Sequence, residues 1–240
     1  LVPDYLQGKY CAVADDQNCY INGAIIPNQD VFAKFQKLKF GESYWKNGML
    51  LAYNGNFVES RDIDELLEHA NASNKHEFED DVQLVQDLWE IFLFNGKQIR
   101  QDFKLLTDGR ESQPVNDKHT IVYGEENIFI EEGVKIRAAI LNAEDGPIYL
   151  GRNSQVQEGV VIKGPFALGV GSHVNMGGKM RGDVSIGPYC KVGGEVAASV
   201  IFGYSNKGHE GYLGNSVLGE WVNIGADTNT SNLKNNYAEV

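Results

Sequence analysis

A glycine-rich segment near the C-terminal end holds the side chains whose chemistry stands out in this sequence. From Lys207 the chain reads Lys-Gly-His-Glu-Gly-Tyr-Leu-Gly-Asn, so His209 lies among glycines and Tyr212 follows it three residues later. An imidazole titrates near neutral pH and can take or give a proton under physiological conditions. A lone histidine in such a loop is also common as a solvated or hydrogen-bonded structural residue. Which of these roles His209 has therefore depends on the elements that position the loop.

A six-residue repeat precedes this loop and is the strongest pattern in the sequence. Neither the helical period of about 3.6 nor the strand period of about 2 accounts for it. A hexapeptide period is typical of a parallel β-helix, a triangular coil whose aliphatic side chains point inward. The aliphatic residues form an unbroken run of eight at Leu150, Val156, Ile162, Leu168, Val174, Met180, Ile186 and Val192.

Two segments, 142–147 and 202–211, leave the six-residue register. On a repeat scaffold such residues form loops, and loops hold functional residues more often than the regular coil does. The second segment contains His209. The sequence therefore places this histidine on a loop at the surface of a coil.

Glycine divides the chain into two parts, because residues 1–120 hold 7 of the 27 glycines and residues 121–240 hold 20. We expect an α/β part over residues 1–118 that ends in a helical linker, and an all-β domain over 119–240. Within the first part, the apolar spacing and turn signals predict strands inside 18–27 and 49–53. They predict helices inside 60–69, 84–92 and 97–106.

Composition excludes several classes of protein. The net charge is −12, from 21 basic and 33 acidic residues, which disfavours a nucleic-acid phosphate-backbone binder. Apolar runs are shorter than the ~20 residues of a membrane span, so no membrane partner is expected. Three cysteines and no signal peptide indicate neither a disulfide framework nor secretion. The expected compartment is the cytoplasm.

The residues from His209 onward resemble the acetyltransferase half of the bifunctional bacterial enzyme that makes UDP-N-acetylglucosamine. That family has a His-x-x-Tyr-Leu-Gly-Asp stretch, then Asn-Ile-Gly-Ala-Gly, then an Asn six residues after the Ala. The matching residues here are His209, Tyr212, Leu213, Gly214 and Asn215, then Asn223, Ile224, Gly225, Ala226 and Asp227, then Asn232; Gly164-Pro-Phe-Ala167 matches an earlier stretch.

The whole chain is also similar to a sugar nucleotidyltransferase family of Bacteroidetes-type bacteria that is built like this enzyme. The stretches that prompt the comparison are Trp89-Glu-Ile-Phe92, Asp102-Phe103, Val192-Gly-Gly-Glu-Val196 and the run from Ser199 to His209. This resemblance implies that residues 1–118 are a remnant of a nucleotidyltransferase-like domain. It also implies that the β-helix is left-handed and that the protein is a homotrimer.

The resemblance further implies acetyl transfer from acetyl-CoA to an amino sugar or its phosphate. His209 would be the general base that takes a proton from the sugar amine as the amine attacks the thioester. Tyr212 and Asn223 would contact the sugar, and Asn232 would position the amine or acetyl group. Ala226 would offer its backbone to the donor.

Several positions depart from the family pattern. Leu168 stands where the family has its first phosphate-binding arginine, and the stretch 194–198 lacks the second, basic ligand. Lys207, Lys179 or Arg181 would have to replace them, which makes glucosamine 1-phosphate a doubtful acceptor. Asp227 replaces a glycine and adds negative charge beside the expected donor site.

Three other interpretations remain open at this stage. His173 and His209 have the two-coil spacing of zinc ligands in hexapeptide-repeat carbonic anhydrases, but a third ligand is missing, and we expect no metal in the β-helix. A sugar-1-phosphate nucleotidyltransferase would use Mg²⁺, yet its Gly-rich loop is not recognisable in residues 1–120. The β-helix could instead be a trimerisation scaffold or sensor without catalytic activity.

Overall fold

The computed structural model describes residues 16–56, 58 and 63–230 of the 240-residue chain. These residues form two compact units that divide between Gln86 and Asp87. Each unit has its own buried core. The expected division into domains after residue 118 stays a prediction.

The N-terminal unit is a small α/β structure. Its sheet has four strands in the order β1-β3-β2-β4, and only the β2–β4 pair is parallel. Val31 and Phe35 of the first helix share a buried cluster with Leu51, whereas the second helix contributes Leu66 to a cluster with Tyr53. The elements are β1 Asn18–Ile21, α1 Gln29–Phe35, β2 Glu42–Lys46, β3 Met49–Gly55, α2 Ile63–Ala72 and β4 Asn74–Glu77.

The sequence predicted β1, β3 and α2, although residues 60–62 of the predicted helix lie outside the described residues. The predicted helix over 84–92 is wrong for residues 84–89, because α3 begins only at Glu90. Leu84 forms an antiparallel bridge with Ile25, and the Val85 amide donates to the Ala24 carbonyl at 2.7 Å. Leu84 packs against the α1 cluster in this extended form, so burial of its side chain does not require a helix.

The C-terminal unit contains one long helix, α3 Glu90–Thr107, followed by a parallel β-helix. The predicted α/β and β-helix architecture is thereby confirmed, whereas the left hand of the coil stays a prediction. The strands are β5 Ile121–Tyr123, β6 Ile128–Ile130, β7 Lys135–Ile136, β8 Ile140–Asn142, β9 Ile148–Leu150, β10 Gln155–Val156, β11 Val161–Lys163, β12 Phe166–Leu168, β13 His173–Val174, β14 Lys179–Met180, β15 Val184–Ile186, β16 Lys191–Val192, β17 Glu195–Ile201, β18 Asn206–Lys207 and β19 Tyr212–Leu218.

Strands one coil apart pair in parallel and form the sides of a prism. The first side stacks five strands in the order β7, β10, β13, β16 and β18. The second side stacks β5, β8, β11 and β14, and the third stacks β6, β9, β12 and β15. The long strands β17 and β19 run from the second side into the third.

The aliphatic repeat fills the interior of this prism, as the sequence predicted. All eight aliphatic residues are at most 3% exposed. In the regular coils the register places residues eighteen positions apart beside one another, as in the pairs Val156↔Val174 and Val174↔Val192. Burial of these side chains supplies the main driving force for the fold of this unit.

Helix α3 packs on the third side of the prism. Asn95 Nδ2 donates to the Asp183 carbonyl at 2.7 Å, and the Ser185 hydroxyl donates to Asn95 Oδ1 at 2.7 Å. Gly96 lies close to Asp183 at this contact, because a Cβ there would stand 1.8 Å from Asp183 Oδ1 and the carboxylate would have to move. This one helix covers residues 90–92 of the first predicted helix and the whole of the second, 97–106. None of the helices in the described ranges combines the length and the apolar character needed to cross a membrane.

Neighbouring residues of β11 test the assignment of the interior. Ile162 is fully buried and Val161 is 40% exposed on the outer surface. We expect Ile162→Ala to lower the free energy of unfolding by about 2–5 kcal/mol, because the prism cannot collapse around the cavity. Val161→Ala should change it by about 0.5 kcal/mol or less. Urea unfolding of both variants measures the difference, and equal effects would contradict the assignment.

Candidate functional site

His209 lies on a short loop between β18 and β19, at the corner that joins the first and second sides of the β-helix. Its side chain is exposed. The preceding coil passes the same corner at Gly193 and Gly194, between β16 and β17, and the following coil passes it at Asp227. The structure thus confirms a surface loop only for the last part of the second predicted interruption, residues 208–211, because residues 206–207 form β18 in register with β16.

The loop is held by hydrogen bonds to the coils before and after it. Asn175 Nδ2, two coils before, donates to the Gly208 carbonyl at 2.9 Å, and the Glu195 amide of the preceding coil donates to the Gly211 carbonyl at 3.2 Å. The Asp227 amide donates to the Glu210 carbonyl at 2.9 Å from the coil after. These bonds fix the loop backbone on both sides of His209. A solvated, irregular loop would lack such bonds.

Lys207 lies inside the prism instead of on its surface. It pairs in register with Val192 and is 2% exposed. Its Nζ donates to the His209 carbonyl at 2.7 Å. Burial lowers the pKa of this ammonium group, against the opposing effect of the Glu210 and Asp227 carboxylates. In this position the side chain contacts the backbone of the loop, and it does not face a surface site.

Tyr212 opens β19 on the outer surface next to the loop. Its amide donates to Asn229 Oδ1 at 2.7 Å, so the following coil fixes its backbone. The phenol lies across Gly214, where a Cβ would stand 2.2 Å from the Tyr212 hydroxyl oxygen. Gly214 therefore allows the ring to lie flat on the coil.

Charged side chains lie on the surface beside Tyr212. Glu195 is its register partner in the preceding coil, and Lys179 pairs with Glu195 one coil further back. Arg181 Nη1 donates to Glu195 Oε1 at 2.8 Å. This pairing is the main cause that raises the pKa of Arg181, and Tyr212 adds a smaller effect in the same direction. The surface next to the loop thus offers a paired guanidinium and an exposed lysine.

Two of the remaining predicted residues, Asn223 and Ala226, belong to the last described coil. Asn223 is exposed and its Oδ1 accepts from Asn206 Nδ2 at 2.9 Å. Ala226 is exposed one residue before Asp227. Asn232 lies outside the described residues. The structure therefore places His209, Tyr212, Asn223 and Ala226 on the surface of two consecutive coils.

Sequence reasoning missed two asparagines that hold these residues, Asn206 and Asn175. Asn206 and Asn223 form a parallel bridge one coil apart. A search for polar residues repeated at the coil spacing could have found this pair. No pattern of repeated polar residues points to Asn175, because its hydrogen-bond partner is the backbone carbonyl of a glycine, Gly208.

The phosphate-binding arginine of the family has no equivalent on this surface. Leu168 is fully buried between Leu150 and Ile186 in the interior column of the third side. An arginine side chain at this position would enter the apolar interior. Of the three proposed replacements, Lys179 is exposed, Arg181 is exposed but paired with Glu195, and Lys207 is buried.

The two histidines considered for zinc lie on different parts of the coil. His173 is in β13 on the first side, and burial together with Lys191 lowers its pKa. His209 is on the corner loop. Across residues 16–56, 58 and 63–230, no group of three or more His, Cys, Asp or Glu side chains has an arrangement that could hold a metal ion.

Comparison with known proteins gives a consistent relationship for both parts of the chain. Residues 1–111 match the family model described as sugar nucleotidyl transferase. The "Bifunctional protein GlmU" of Synechococcus elongatus is 28% identical over 170 residues, 62% of this chain and 37% of that protein. Residues 1–111 thus match a sugar nucleotidyl transferase family, and the chain as a whole is similar to bifunctional GlmU proteins. The resemblance drawn from the sequence is confirmed.

Two further relatives differ in the share of this chain that they match. The GlmU of Gloeothece citriformis is 25% identical over 247 residues, 97% of this chain and 52% of that protein. The GlmU of Rippkaea orientalis is 38% identical over 86 residues, 35% of this chain and 18% of that protein. The chain thus spans about half or less of the length of these curated relatives.

Replacement of Leu168 by the arginine of the family tests whether this position faces the interior. We expect Leu168→Arg to lower the free energy of unfolding by several kcal/mol, because the guanidinium would be buried without a partner. Val170→Arg is the matched control, since Val170 is 37% exposed on the adjacent corner. Urea unfolding measures both variants. A Leu168→Arg protein as stable as the control would contradict the assignment.

Proposed function

We propose that the protein takes part in sugar-nucleotide metabolism and transfers an acetyl group from acetyl-CoA to an amino sugar or amino-sugar phosphate. The observation that best supports this is the exposed His209 on a corner loop whose backbone is hydrogen-bonded to both neighbouring coils. A histidine fixed in this way suits general-base catalysis. Similarity to bifunctional GlmU proteins supports the same reaction class.

In the proposed reaction the amine nitrogen of the sugar attacks the carbonyl carbon of the thioester. His209 takes a proton from the nitrogen as the C–N bond forms. The C–S bond then breaks, and the coenzyme leaves as a thiolate that is protonated to the thiol. A general base of this kind contributes about 10²–10⁴-fold to the rate.

The acceptor would lie on the outer surface between His209 and Tyr212. The phenol of Tyr212 and the amide of Asn223 would contact the sugar hydroxyl groups, and Asn232 would position the amine or acetyl group. Because Arg181 is paired with Glu195, the exposed Lys179 is the stronger candidate to hold a phosphate on the sugar. Lys207 would act from the interior and would not bind the phosphate itself.

The donor site would begin at the last described coil. The backbone of Ala226 would face the pantetheine arm, and the carboxylate of Asp227 beside it disfavours close approach of the coenzyme phosphates. A homotrimer would place the same surface against a neighbouring subunit. The trimer and a cytoplasmic location stay predictions.

A second function is favoured because two cations expected beside a phosphorylated acceptor are not on this surface. With Leu168 in the interior and Lys207 buried, the surface lacks two of the positive charges that a phosphorylated acceptor would use. Under this alternative the protein is a sugar-1-phosphate nucleotidyltransferase, and the β-helix is a trimerisation scaffold or sensor. The described residues offer no clustered ligands for the Mg²⁺ of that reaction, so we assign no step to the metal.

Thiol release from acetyl-CoA, measured with a panel of amino sugars and their 1-phosphates, separates the two functions. We expect release that depends on one acceptor and falls by about 10²–10⁴-fold in His209→Ala, because the general base is lost. His119→Ala is the control, since His119 is an exposed histidine of the same unit away from the loop. No release with any acceptor would leave the scaffold function.

A further inference from the structure

Among the coils within residues 119–230, the interior of the β-helix contains one charged residue at a position where the repeat has aliphatic ones. Along the first side, the inward column runs through Val156, Val174 and Val192 and reaches Lys207. Lys207 is 2% exposed, as deeply buried as the valines before it. Removal of an ammonium group from water is costly, so this position disfavours the folded state unless a contact offsets the cost.

The one hydrogen bond that Lys207 Nζ makes to a described residue goes to the His209 carbonyl, at 2.7 Å. A hydrogen bond from a charged donor is stronger than one between neutral groups. Gly194 makes room for this contact, because a Cβ at that residue would lie 2.9 Å from Lys207 Nζ and 2.8 Å from the His209 carbonyl oxygen. The interior is thus shaped around the bond between the lysine and the loop.

The charged groups that face this ammonium come from the loop and from the next coil. They are the carboxylates of Glu210 and Asp227, which favour the charged form, whereas burial opposes it and has the larger effect. Deprotonation of Lys207 would weaken its bond to the His209 carbonyl. The order of the loop is therefore coupled to the charge state of one interior side chain.

The imidazole of His209 has no hydrogen-bond partner among residues 16–56, 58 and 63–230. Its place is therefore set by the backbone of the loop. We propose that Lys207 is a positioning residue that fixes the His209 loop from inside the β-helix and keeps the imidazole in place for proton transfer. The catalytic part of this inference rests on the proposed function, whereas the anchoring of the loop does not.

Lys207→Met tests the anchoring, with Lys191→Met as the control. Methionine fits the aliphatic column, and Lys191 is an exposed lysine of the preceding coil in the neighbouring outward position. We expect the Tm of Lys207→Met to equal or exceed that of the wild type, because a buried charge is removed. The ¹⁵N order parameters of His209 and Glu210 should fall from ~0.85 towards less than ~0.6, and Lys191→Met should leave them unchanged.

Two outcomes would overturn the anchoring. One is a Lys207→Met protein whose loop order parameters and His209 carbonyl ¹³C shift match those of Lys191→Met. The other is a marked fall in Tm with an ordered loop, which would make Lys207 a purely structural residue.

A titration of the wild type decides the matter if Lys207→Met does not fold. The ¹³Cε signal of Lys207 should titrate below the ordinary lysine value of ~10.4, because burial lowers its pKa. The His209 carbonyl ¹³C signal should change with the same midpoint. A carbonyl signal that stays constant while Lys207 loses its proton would overturn the proposal.

Acetyl transfer by the same variants separates this inference from the proposed function. If the function holds, Lys207→Met should lower kcat by about 10²-fold with a smaller change in the KM of the acceptor, as misplacement of a catalytic group does. If the wild type shows no transfer but the loop loses order in Lys207→Met, the anchoring stands and the proposed function fails. Unchanged kcat with a disordered loop would overturn the positioning role alone.

Discussion

The C-terminal unit depends on one constraint, which is that the interior of a closed triangular coil has room for only one or two side chains from each side of each turn. Coils stack at the strand spacing of about 4.8 Å, so inward residues of successive coils are in direct contact. Aliphatic side chains satisfy this at most positions, and the eight of the regular repeat from Leu150 to Val192 are at most 3% exposed. Any polar residue that enters the column must find its partner inside the coil or on the backbone of a corner.

This constraint explains how a small loop can be held without a core of its own. The segment from Gly208 to Gly211 leaves the repeat, and the coils before and after it supply hydrogen bonds to its backbone. Lys207 adds a bond from the interior. The side chains of the loop are left free to face solvent, and this arrangement suits a residue that must exchange a proton with a substrate.

The regular part of the β-helix could be predicted from the sequence because aliphatic residues recur there at every sixth position. The eight positions from Leu150 to Val192 are all inward in the structure. Beyond them the prediction fails for a physical reason. Val192 pairs with Lys207 after fifteen residues, whereas Val174 pairs with Val192 after eighteen. Counting by six from Val192 therefore misses Lys207, and its charge suggests a surface position.

The N-terminal part and the linking helix show a different limit. Leu84 and Val85 have spacing that fits a helix, yet they extend along residues 24–25 because that pairing satisfies their backbone groups. Helix α3 could be predicted, but its packing on the β-helix depends on Asn95 and Gly96, which have no special signal in sequence. For the site, the family motif identified His209 and Tyr212, whereas the contacts that hold the loop from the interior have no sequence pattern and are seen only in the structure.

Acetyl transfer is best tested by following the carbonyl carbon of the donor. Acetyl-CoA labelled with ¹³C at the thioester carbonyl is incubated with the protein and the panel of amino sugars, and ¹³C NMR distinguishes thioester, amide and free acetate. The account predicts that the thioester signal is replaced by an amide signal with one acceptor. A thioester signal that persists with every acceptor, or that is converted only to acetate, would contradict it.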